Sequence, residues 1–378
     1  MQRDSGAPLY EFFAGGGLAR LGLEPDFACV FANDFDPAKA NAYRTAWGEA
    51  DMRQGDIWSL ASTDLPGQAA LAWASFPCQD LSLAGARRGL AAPRSGAFWG
   101  FHRLIEKLAH EKRAPDVLAL ENVSGLLSSH GGADFTALVH ALDGLGYRVG
   151  ALEIDAALFT PQSRARLFIV AARNAPSHLI ASGPIEPFHS MALRNVVARM
   201  PDTLRKHFVW WRLDTPPKRN TRLADVLEDD NVAWNSEEQT ARLLWQMSPL
   251  QRARVDAVRE SGRREVGAVF RRIRIEQGER VQRAEARFDG IAGCLRTPTG
   301  GSSRQLLLFI EGETIRSRLL TPREAARLMG VPDEYPLPTS QTAALHLIGD
   351  AVCVPVVRWL SQHLLRPLVG AAAVRKSA

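Results

Sequence analysis

The sequence predicts an α/β fold built on a parallel sheet with crossover helices, with a smaller second domain inserted late in the chain. In the first half, short apolar runs alternate with segments of helical periodicity, the pattern of strands joined by crossover helices. A glycine-rich turn directly follows the first of these runs. From about residue 176 the sequence becomes proline-rich and arginine-rich, which indicates a change of architecture.

The individual strands and helices are predicted from these patterns. Candidate strands span 9–13, 28–32, 70–75, 117–121, 147–155 and 168–172. Candidate helices span 37–47, 97–110 and 134–145. Helical periodicity returns at 321–328 and 352–365. We therefore expect a first domain over 1–178, an inserted domain over 179–317, and a C-terminal segment, 318–378, that completes the first domain.

Composition predicts a globular protein of the cytoplasm. The 378 residues are 46% hydrophobic, which allows a sizeable core. The N-terminus lacks the apolar core of a signal peptide, and no apolar run is expected to reach the length of a membrane-spanning helix. The four cysteines are far apart in sequence, so neither a metal cluster nor a disulfide framework is predicted.

The basic charge of the chain is concentrated in one window. Residues 251–288 contain eleven arginines and six acids, an excess equal to the net charge of +5 for the whole chain. Two interpretations stay open at this point. The window is either a solvated helix face or a surface that binds a polyanion such as nucleic acid.

Three features at the ends of the first strands suit a nucleotide-like ligand. The turn Phe13-Ala14-Gly15-Gly16-Gly17 lets a ligand approach the backbone where a helix begins, although a tight turn alone would also explain it. Arg20 stands where the dinucleotide fingerprint has its third glycine. Asp34 is placed to accept from ribose hydroxyls and Asp56 from an adenine amino group, while either could be only a turn or cap residue.

The strongest local signal is Ser75-Phe76-Pro77-Cys78-Gln79, which follows an apolar strand. A cysteine at this position lies at the carboxyl edge of the sheet, where ligands bind. A buried structural thiol is the ordinary alternative. The small and basic residues that follow, including Arg87 and Arg88, suit contacts with phosphates and favour the functional interpretation.

Two further segments carry polar residues suited to catalysis. Glu121 ends an apolar strand in Glu121-Asn122-Val123, where burial favours a protonated carboxyl that can act as a general acid. Arg164 and Arg166 precede another strand, and alternation puts them on one face if the strand extends back to them.

In this order the motifs resemble those of the cytosine-C5 DNA methyltransferases over nearly the whole chain. The matching segments are 13–17, 77–79, 121–123, 162–166, 318–330 and 349–352. The resemblance implies a Rossmann-like, S-adenosylmethionine-dependent methyltransferase domain with an inserted smaller target-recognition domain. It implies that the nucleophile Cys78 attacks a cytosine flipped out of the duplex, because the base cannot react inside the stack.

The resemblance also implies the parts of other residues. Glu121 is the acid at cytosine N3, Arg166 the partner of the base's O2, and Arg164 a support of the same catalytic site. The residues implied to bind the cofactor are Phe13, Ala14, Gly15, Gly17, Asp34, Phe35, Asp56, Ile57, Pro77, Phe98, Asp350 and Ala351. Those implied to contact DNA are Gln79, Ser82, Arg87, Arg88, Arg94, Gln162, Leu295, Thr297, Gly300, Gly301 and Arg304.

The partners expected on this basis are S-adenosylmethionine and duplex DNA, with no metal and no membrane. We expect a monomer associated with the nucleoid, and a restriction endonuclease that acts on the same DNA site without direct contact. The chain departs from the family pattern at Glu11, Leu18 and Asp350, from which we expect weaker cofactor affinity or a repositioned contact and not a loss of function. In the inserted domain, Cys294-Leu295 stands in the place of the family's Thr-Leu pair, a departure that concerns the contacts with the target base.

Three other functions remain as alternatives. A methyltransferase of the same fold could act on RNA, and a DNA-binding relative could keep the fold without catalysis. The length of the inserted domain favours duplex DNA, and the intact Cys78, Glu121 and Arg166 favour catalysis. A nucleotide-dependent dehydrogenase would rest on the glycine turn alone and leave Pro77-Cys78-Gln79 unexplained.

Overall fold

The computed structural model describes residues 6–76, 96–230, 232–276, 278–296 and 304–377. The chain divides into two compact units. The first unit comprises Met1–Asp155, Ala165–Pro217 and Val352–Ala378, and the second comprises Ala156–Arg164 and Lys218–Ala351.

These bounds differ from the predicted domain boundaries in two places. The proline-rich stretch up to Pro217 belongs to the first unit, because its apolar side chains Leu193, Leu204 and Phe208 are part of that unit's core. Residues 318–351 belong to the second unit, because the buried Glu324 accepts from the N–H of Glu228 at 2.8 Å and the buried Arg318 donates to the carbonyl oxygen of Glu228 at 3.3 Å.

The first unit is built on a seven-stranded sheet. Its strands are β1 (Ala7–Phe12), β2 (Phe27–Asp34), β3 (Met52–Gln54), β4 (Leu71–Ala74), β5 (Val117–Val123), β6 (Arg148–Asp155) and β7 (Ala165–Ala172), in the order β3-β2-β1-β4-β5-β7-β6. Strands β1 to β5 are parallel, as predicted. Two short strands, β8 (Ile180–Ala181) and β9 (Trp210–Trp211), pair separately in the same unit.

Strand β7 is antiparallel to both of its neighbours, β5 and β6, which corrects the expectation of a wholly parallel arrangement. Only Ala156–Arg164 connects β6 to β7. A parallel pair needs a crossover of about a dozen residues or more, so this connection is too short for one.

The α-helices are numbered along the chain. They are α1 (Leu18–Leu23), α2 (Pro37–Trp47), α3 (Ala97–His110), α4 (Ala133–Gly144), α5 (Met191–Ala198), α6 (Asp202–His207), α7 (Glu237–Trp245), α8 (Pro249–Glu260), α9 (Pro322–Leu328), α10 (Gln341–Asp350), α11 (Val354–Leu360) and α12 (Arg366–Ser377). Helix α3 shows why the periodicity predicted it: Phe98, Phe101, Leu104, Ile105 and Leu108 are fully buried against the sheet's core.

The second unit contains a four-stranded antiparallel sheet. Its strands are β10 (Glu265–Glu276), β11 (Glu279–Arg287), β12 (Leu306–Glu311) and β13 (Thr314–Leu319), in the order β11-β10-β12-β13. Side chains of this sheet pack with Leu243 of α7 and Val255 of α8 in a separate small core. The arginine-rich window therefore spans α8, β10 and β11.

The helical stretch 341–373 is long and apolar enough to meet the length and composition of a membrane span, contrary to the sequence expectation. Its most apolar window has a mean hydropathy of 1.5, and 56% of that window is buried within the fold. A buried fraction of this size is typical of a core helix in a folded protein, and it weighs against a membrane-spanning helix.

Glu11 is a fully buried carboxyl in the centre of the sheet. Its Oε1 accepts from the backbone N–H of Arg20, in the first turn of α1, at 3.2 Å, whereas Oε2 has no hydrogen-bond partner. Burial raises the pKa of Glu11 to about 8. Glu11, one of the residues that differ from the family pattern, thus supports the start of α1.

We expect the raised pKa of Glu11 to appear in the pH dependence of stability. Between about pH 4.5 and 8 the folded chain holds a proton on Glu11 that the unfolded chain lacks, so the contribution of Glu11 to stability falls as pH rises through this window. Glu11→Gln should keep the bond to Arg20 and be more stable than the wild type at pH 9 by more than about 1 kcal/mol. Urea unfolding at pH 4, 6, 8 and 9 checks this, and an equal stability difference at every pH would contradict it.

Candidate active site

Glu121 and Arg166 meet at the carboxyl end of β5, in the interior of the seven-stranded sheet. Strand β5 is antiparallel to β7, with Val123 opposite Arg166. This register places Arg166 Nε 3.2 Å from Glu121 Oε1, with side chains 17% and 9% exposed. The two residues that the resemblance assigns to the target base therefore form a largely buried ion pair.

Asn122 joins β5 to the segment that leads to Cys78. Its Nδ2 donates to the carbonyl oxygen of Phe76 at 3.0 Å, and its Oδ1 accepts from the N–H of Val123 at 2.9 Å. The chain two residues before Cys78 is thereby fixed beside Glu121. No local sequence pattern indicates this role of Asn122, because the contact joins residues 46 positions apart.

Arg164 is bonded within the second unit, and its supporting part in the catalytic site stays a prediction. Its side chain donates to the carbonyl oxygens of Leu295 at 2.8 Å, Gly349 at 3.0 Å and Ala351 at 2.7 Å. Arg164 is 3% exposed. Although Arg164 and Arg166 are two positions apart, the chain passes from one unit to the other between them.

We expect Arg164→Lys to destabilise the second unit. An ammonium cannot reproduce the planar fork of the guanidinium, so at least one buried carbonyl loses its donor, at a cost of about 2 kcal/mol. Chemical denaturation with Trp fluorescence measures the loss. Arg166→Lys is the matched comparison and should lose much less stability, since Arg166 is less buried; equal losses in the two variants would contradict the assignment.

Gln162 and Leu295, both expected to contact DNA, lie inside the second unit. Gln162 is completely buried, and its Nε2 donates to the carbonyl of Leu328 at 3.0 Å. Its Oε1 accepts from the N–H of Leu295 at 3.1 Å, and Leu295 is 8% exposed. The expectation that the Gln162 amide reaches DNA is wrong, because its polar atoms already bond within the protein.

The glycine turn after β1 leaves space at the ligand edge of the sheet. Phe13 has a left-handed backbone with φ of 56°, which is costly for a non-glycine residue and occurs often at functional sites. A Cβ atom at Gly17, where φ is 79°, would clash with Nε1 of Trp47. At Gly15 no atom of the described residues lies within 4 Å of where a side chain would begin. The turn, with Ala14 buried in it, is therefore closed toward α2 and open at Gly15.

Asp34 and Phe35 lie beside this opening at the end of β2. The Asp34 carboxylate accepts from the N–H of Gly15 at 2.7 Å and of Asp36 at 2.9 Å. Phe35 is 71% exposed. Asp56 is also exposed, and it begins a short 3-10 turn by accepting from the N–H of Trp58. An exposed ring between two carboxylates suits an adenosine, which offers a flat base, an amino group and ribose hydroxyls.

Other residues expected to bind the cofactor have different positions. Ile57 and Phe98 are 4% and 0% exposed and belong to the core of the first unit, and their part in cofactor binding stays a prediction. Asp350 and Ala351 belong to the second unit, and their part in cofactor binding stays a prediction. Pro77 lies outside the described residues.

The expected nucleophile and most of the expected DNA contacts are also outside the described residues. These are Cys78, Gln79, Ser82, Arg87, Arg88, Arg94, Thr297, Gly300 and Gly301. Their roles remain predictions from the sequence.

Within the second unit, a cavity of about 730 Å³ is lined by six arginines and one acid. The charged lining residues are Arg254, Arg271, Arg272, Arg287, Arg296, Arg304 and Glu285. Arg304, which is expected to contact DNA, is one of these lining arginines. Its guanidinium also donates to Thr342 Oγ1 at 3.2 Å. The surplus of guanidinium groups suits a phosphate-rich ligand.

The first unit is thus a Rossmann-like enzyme domain with an acid and a guanidinium paired at its ligand edge, and the second unit carries an arginine-lined cavity. The chain matches the family model for C-5 cytosine-specific DNA methylase over residues 8–366, and it belongs to that family. It is a DNA (cytosine-5-)-methyltransferase. The family and the fold class predicted from the sequence are confirmed.

Similar proteins include bacterial enzymes and one solved eukaryotic structure. The Type II methyltransferase M.NlaX of Neisseria lactamica is 28% identical over 361 residues, 94% of this chain and 95% of the relative. M.HhaI of Haemophilus parahaemolyticus is 26% identical over 366 residues, 95% and 94% of the two chains. The crystal structure of S. pombe Dnmt2 methyltransferase shares the fold, with a TM-score of 0.64 at 19% identity and coverage of 96% of this chain and 99% of that chain.

Proposed function

We propose that the protein methylates C5 of a flipped-out cytosine in a specific duplex DNA sequence, through a transient bond between Cys78 Sγ and C6 of the base. The observation that carries the proposal is the pairing of Glu121 with Arg166, beside the point where Asn122 holds the chain that leads to Cys78. A base at this edge of the sheet would meet acid, guanidinium and thiol together.

S-adenosylmethionine is the proposed methyl donor, and when bound it supplies an electrophilic methyl group to C5. The exposed Phe35 ring, the carboxylates of Asp34 and Asp56 and the open backbone at Gly15 would hold it. Asp34 already accepts two backbone N–H groups, yet a carboxylate has about four acceptor positions, so ribose hydroxyls can still bond to it.

The protein residues make C5 reactive. The Cys78 thiolate adds to C6, and the electron pair of the C5–C6 bond becomes available at C5, which a neutral aromatic ring would not offer. After C5 has gained the methyl group, a base removes the C5 proton, and the C6–S bond breaks to restore the ring and the thiolate.

Glu121 and Arg166 offset the charge that the addition places on the ring. Glu121 shares a proton with N3, and Arg166 donates to O2, so negative charge is stabilised at both polar atoms beside the reacting carbon. Their mutual contact at 3.2 Å holds both side chains in place before the base enters, which lowers the cost of ordering them in the complex.

The acceptor nucleic acid is tested by comparing duplex DNA with transfer RNA. The full chain is incubated with labelled S-adenosylmethionine and each substrate at equal base concentration. Transfer to duplex DNA, mapped by bisulfite sequencing, is the expected result. Transfer to RNA alone would overturn the proposed substrate while leaving the reaction type intact.

Covalent catalysis is tested separately with duplexes that carry 5-fluorocytosine. Fluorine replaces the C5 proton that must leave, so an active thiol stays bound to the DNA after methyl transfer. A protein–DNA adduct stable to denaturing gel electrophoresis is expected. Specific binding without any adduct would identify a DNA-binding relative that has lost catalysis.

We also place the enzyme in the cytoplasm, on chromosomal DNA, as a partner of a restriction endonuclease that reads the same site. Two Type II relatives that cover nearly all of this chain support this placement. Expression of the protein should protect cellular DNA at its site against the matching endonuclease.

A further inference from the structure

Strands β10 and β11 extend beyond the sheet of the second unit as a two-stranded ribbon. Strand β12 pairs with β10 only from Glu265 to Val269, whereas β11 pairs with β10 as far as Glu276. The stretch of β10 after Val269 therefore has only β11 as a described strand partner. At about 3.4 Å per residue, this extension is roughly 20 Å long.

The two faces of the ribbon differ in chemistry. On one face, Arg272, Arg274 and Arg283 are matched by carboxylates: Arg272 and Arg274 pair with Glu285, and Arg283 pairs with Glu276. This face is internally neutralised, and ion pairs of this kind at the surface need no further partner.

The opposite face, which we call the isoleucine face, carries Arg271, Ile273, Ile275, Arg280, Gln282 and Ala284 by the strand register. At its base, Ala284 is buried in the small core of the second unit. Farther out the same face enters solvent, where Ile273 is 57% exposed and Ile275 is 78% exposed. Among the described ribbon residues, this face has two arginines and no carboxylate.

We propose that the ribbon is a sequence-reading arm that lies in the DNA major groove, with Ile273 and Ile275 against thymine methyl groups. The inference deepens the proposed function and depends on it. A two-stranded ribbon fits the major groove, which is about 12 Å wide and displays the thymine methyl as its apolar feature. Arg271 and Arg280 on the same face contact the polyanionic strands.

Charge decides between DNA and a second copy of the chain. Two isoleucine faces in contact would bring Arg271 and Arg280 of both copies together with no carboxylate between them. DNA instead brings negative charge to these guanidiniums. Arg271 of the isoleucine face is also one of the arginines that line the cavity of the second unit.

The first experiment changes the DNA and leaves the protein intact. The recognition sequence is established by methylation of a randomised duplex library followed by bisulfite sequencing. Each thymine in and beside the site is then replaced by deoxyuridine, which removes only the methyl group. A fall in kcat/KM of about fourfold per contacted methyl is expected at one or more thymines. Equal rates at every position would overturn the inference.

The second experiment uses the double variant Ile273→Thr with Ile275→Thr, which keeps β-branched side chains but shortens the apolar surface. The variant should lose the distinction between thymine and deoxyuridine and accept other base pairs there. Val281→Thr, on the neutralised face, is the matched control and should keep the wild-type profile. If the double variant kept that profile, or changed only self-association in sedimentation, the arm would not read DNA.

The outcomes separate this inference from the proposed function. No methyl transfer by the wild type to any duplex would defeat the proposed function itself. Active wild-type enzyme that is indifferent to every thymine methyl would defeat the arm alone. Should the double variant fail to fold, the deoxyuridine scan still decides, because it uses the unmodified chain.

Discussion

Cys78→Ser is expected to lower methyl transfer by about four orders of magnitude or more, because the hydroxyl replaces the only group proposed to bond to the base. A serine hydroxyl at neutral pH is a much weaker nucleophile than a thiolate, and nothing else in the mechanism makes C5 electron-rich. The rate is measured under single-turnover conditions with labelled methyl donor. DNA affinity, measured by fluorescence anisotropy, should remain close to that of the wild type.

Cys353→Ser is the matched control for this substitution. Cys353 is buried at the N-cap of α11, a position that serine occupies readily, and it has no part in the proposed chemistry. Its activity should be that of the wild type. Full activity of Cys78→Ser, or an adduct with 5-fluorocytosine DNA in that variant, would refute covalent catalysis by position 78.

Glu121→Gln is expected to slow the chemical step by about two orders of magnitude or more. The amide oxygen can still accept from Arg166, so the ion-pair geometry is largely kept, but the side chain can no longer pass a proton to N3. The loss should appear in the single-turnover rate and leave DNA affinity nearly unchanged. Glu153→Gln, on the edge strand β6 of the same sheet, serves as the control of equal chemistry and should react at the wild-type rate.

An unchanged single-turnover rate in Glu121→Gln would remove Glu121 from the mechanism. A loss of DNA affinity equal to the loss of rate would instead indicate that Glu121 acts only in holding the base. The pH profile separates these cases further, since general acid catalysis makes the rate depend on a protonated group.

Local patterns in the sequence were sufficient for most of the first unit. The helix periodicity of α3 and the apolar runs of β4 and β5 arise from contacts with the sheet core, which repeat at regular spacing and so leave a signal in the sequence. The antiparallel direction of β7 leaves no such signal. It depends on the length of one short connection, which is judged only when both flanking strands are known.

The second unit was harder to predict for a physical reason. Its strand β10 is apolar only near its base and continues into the exposed ribbon, so the hydrophobic pattern of a strand stops halfway along. The roles expected of Arg164 and Gln162 come from the resemblance of 162–166 to a family motif, which does not indicate what these two side chains bond to. Their actual partners are more than 130 residues away, at Leu295 and in the segments around Leu328 and Gly349.

The bonds made by Arg164 and Gln162 bear on how enzymes of this kind could acquire new specificities. Both residues bond mainly to main-chain groups, at Leu295, Leu328, Gly349 and Ala351, and every amino acid other than proline offers the same N–H and C=O. Side chains of the second unit can therefore be exchanged for others without loss of these attachments. A hybrid in which 218–351 is replaced by the corresponding stretch of a relative needs only a matching backbone path to be held by the original Gln162 and Arg164.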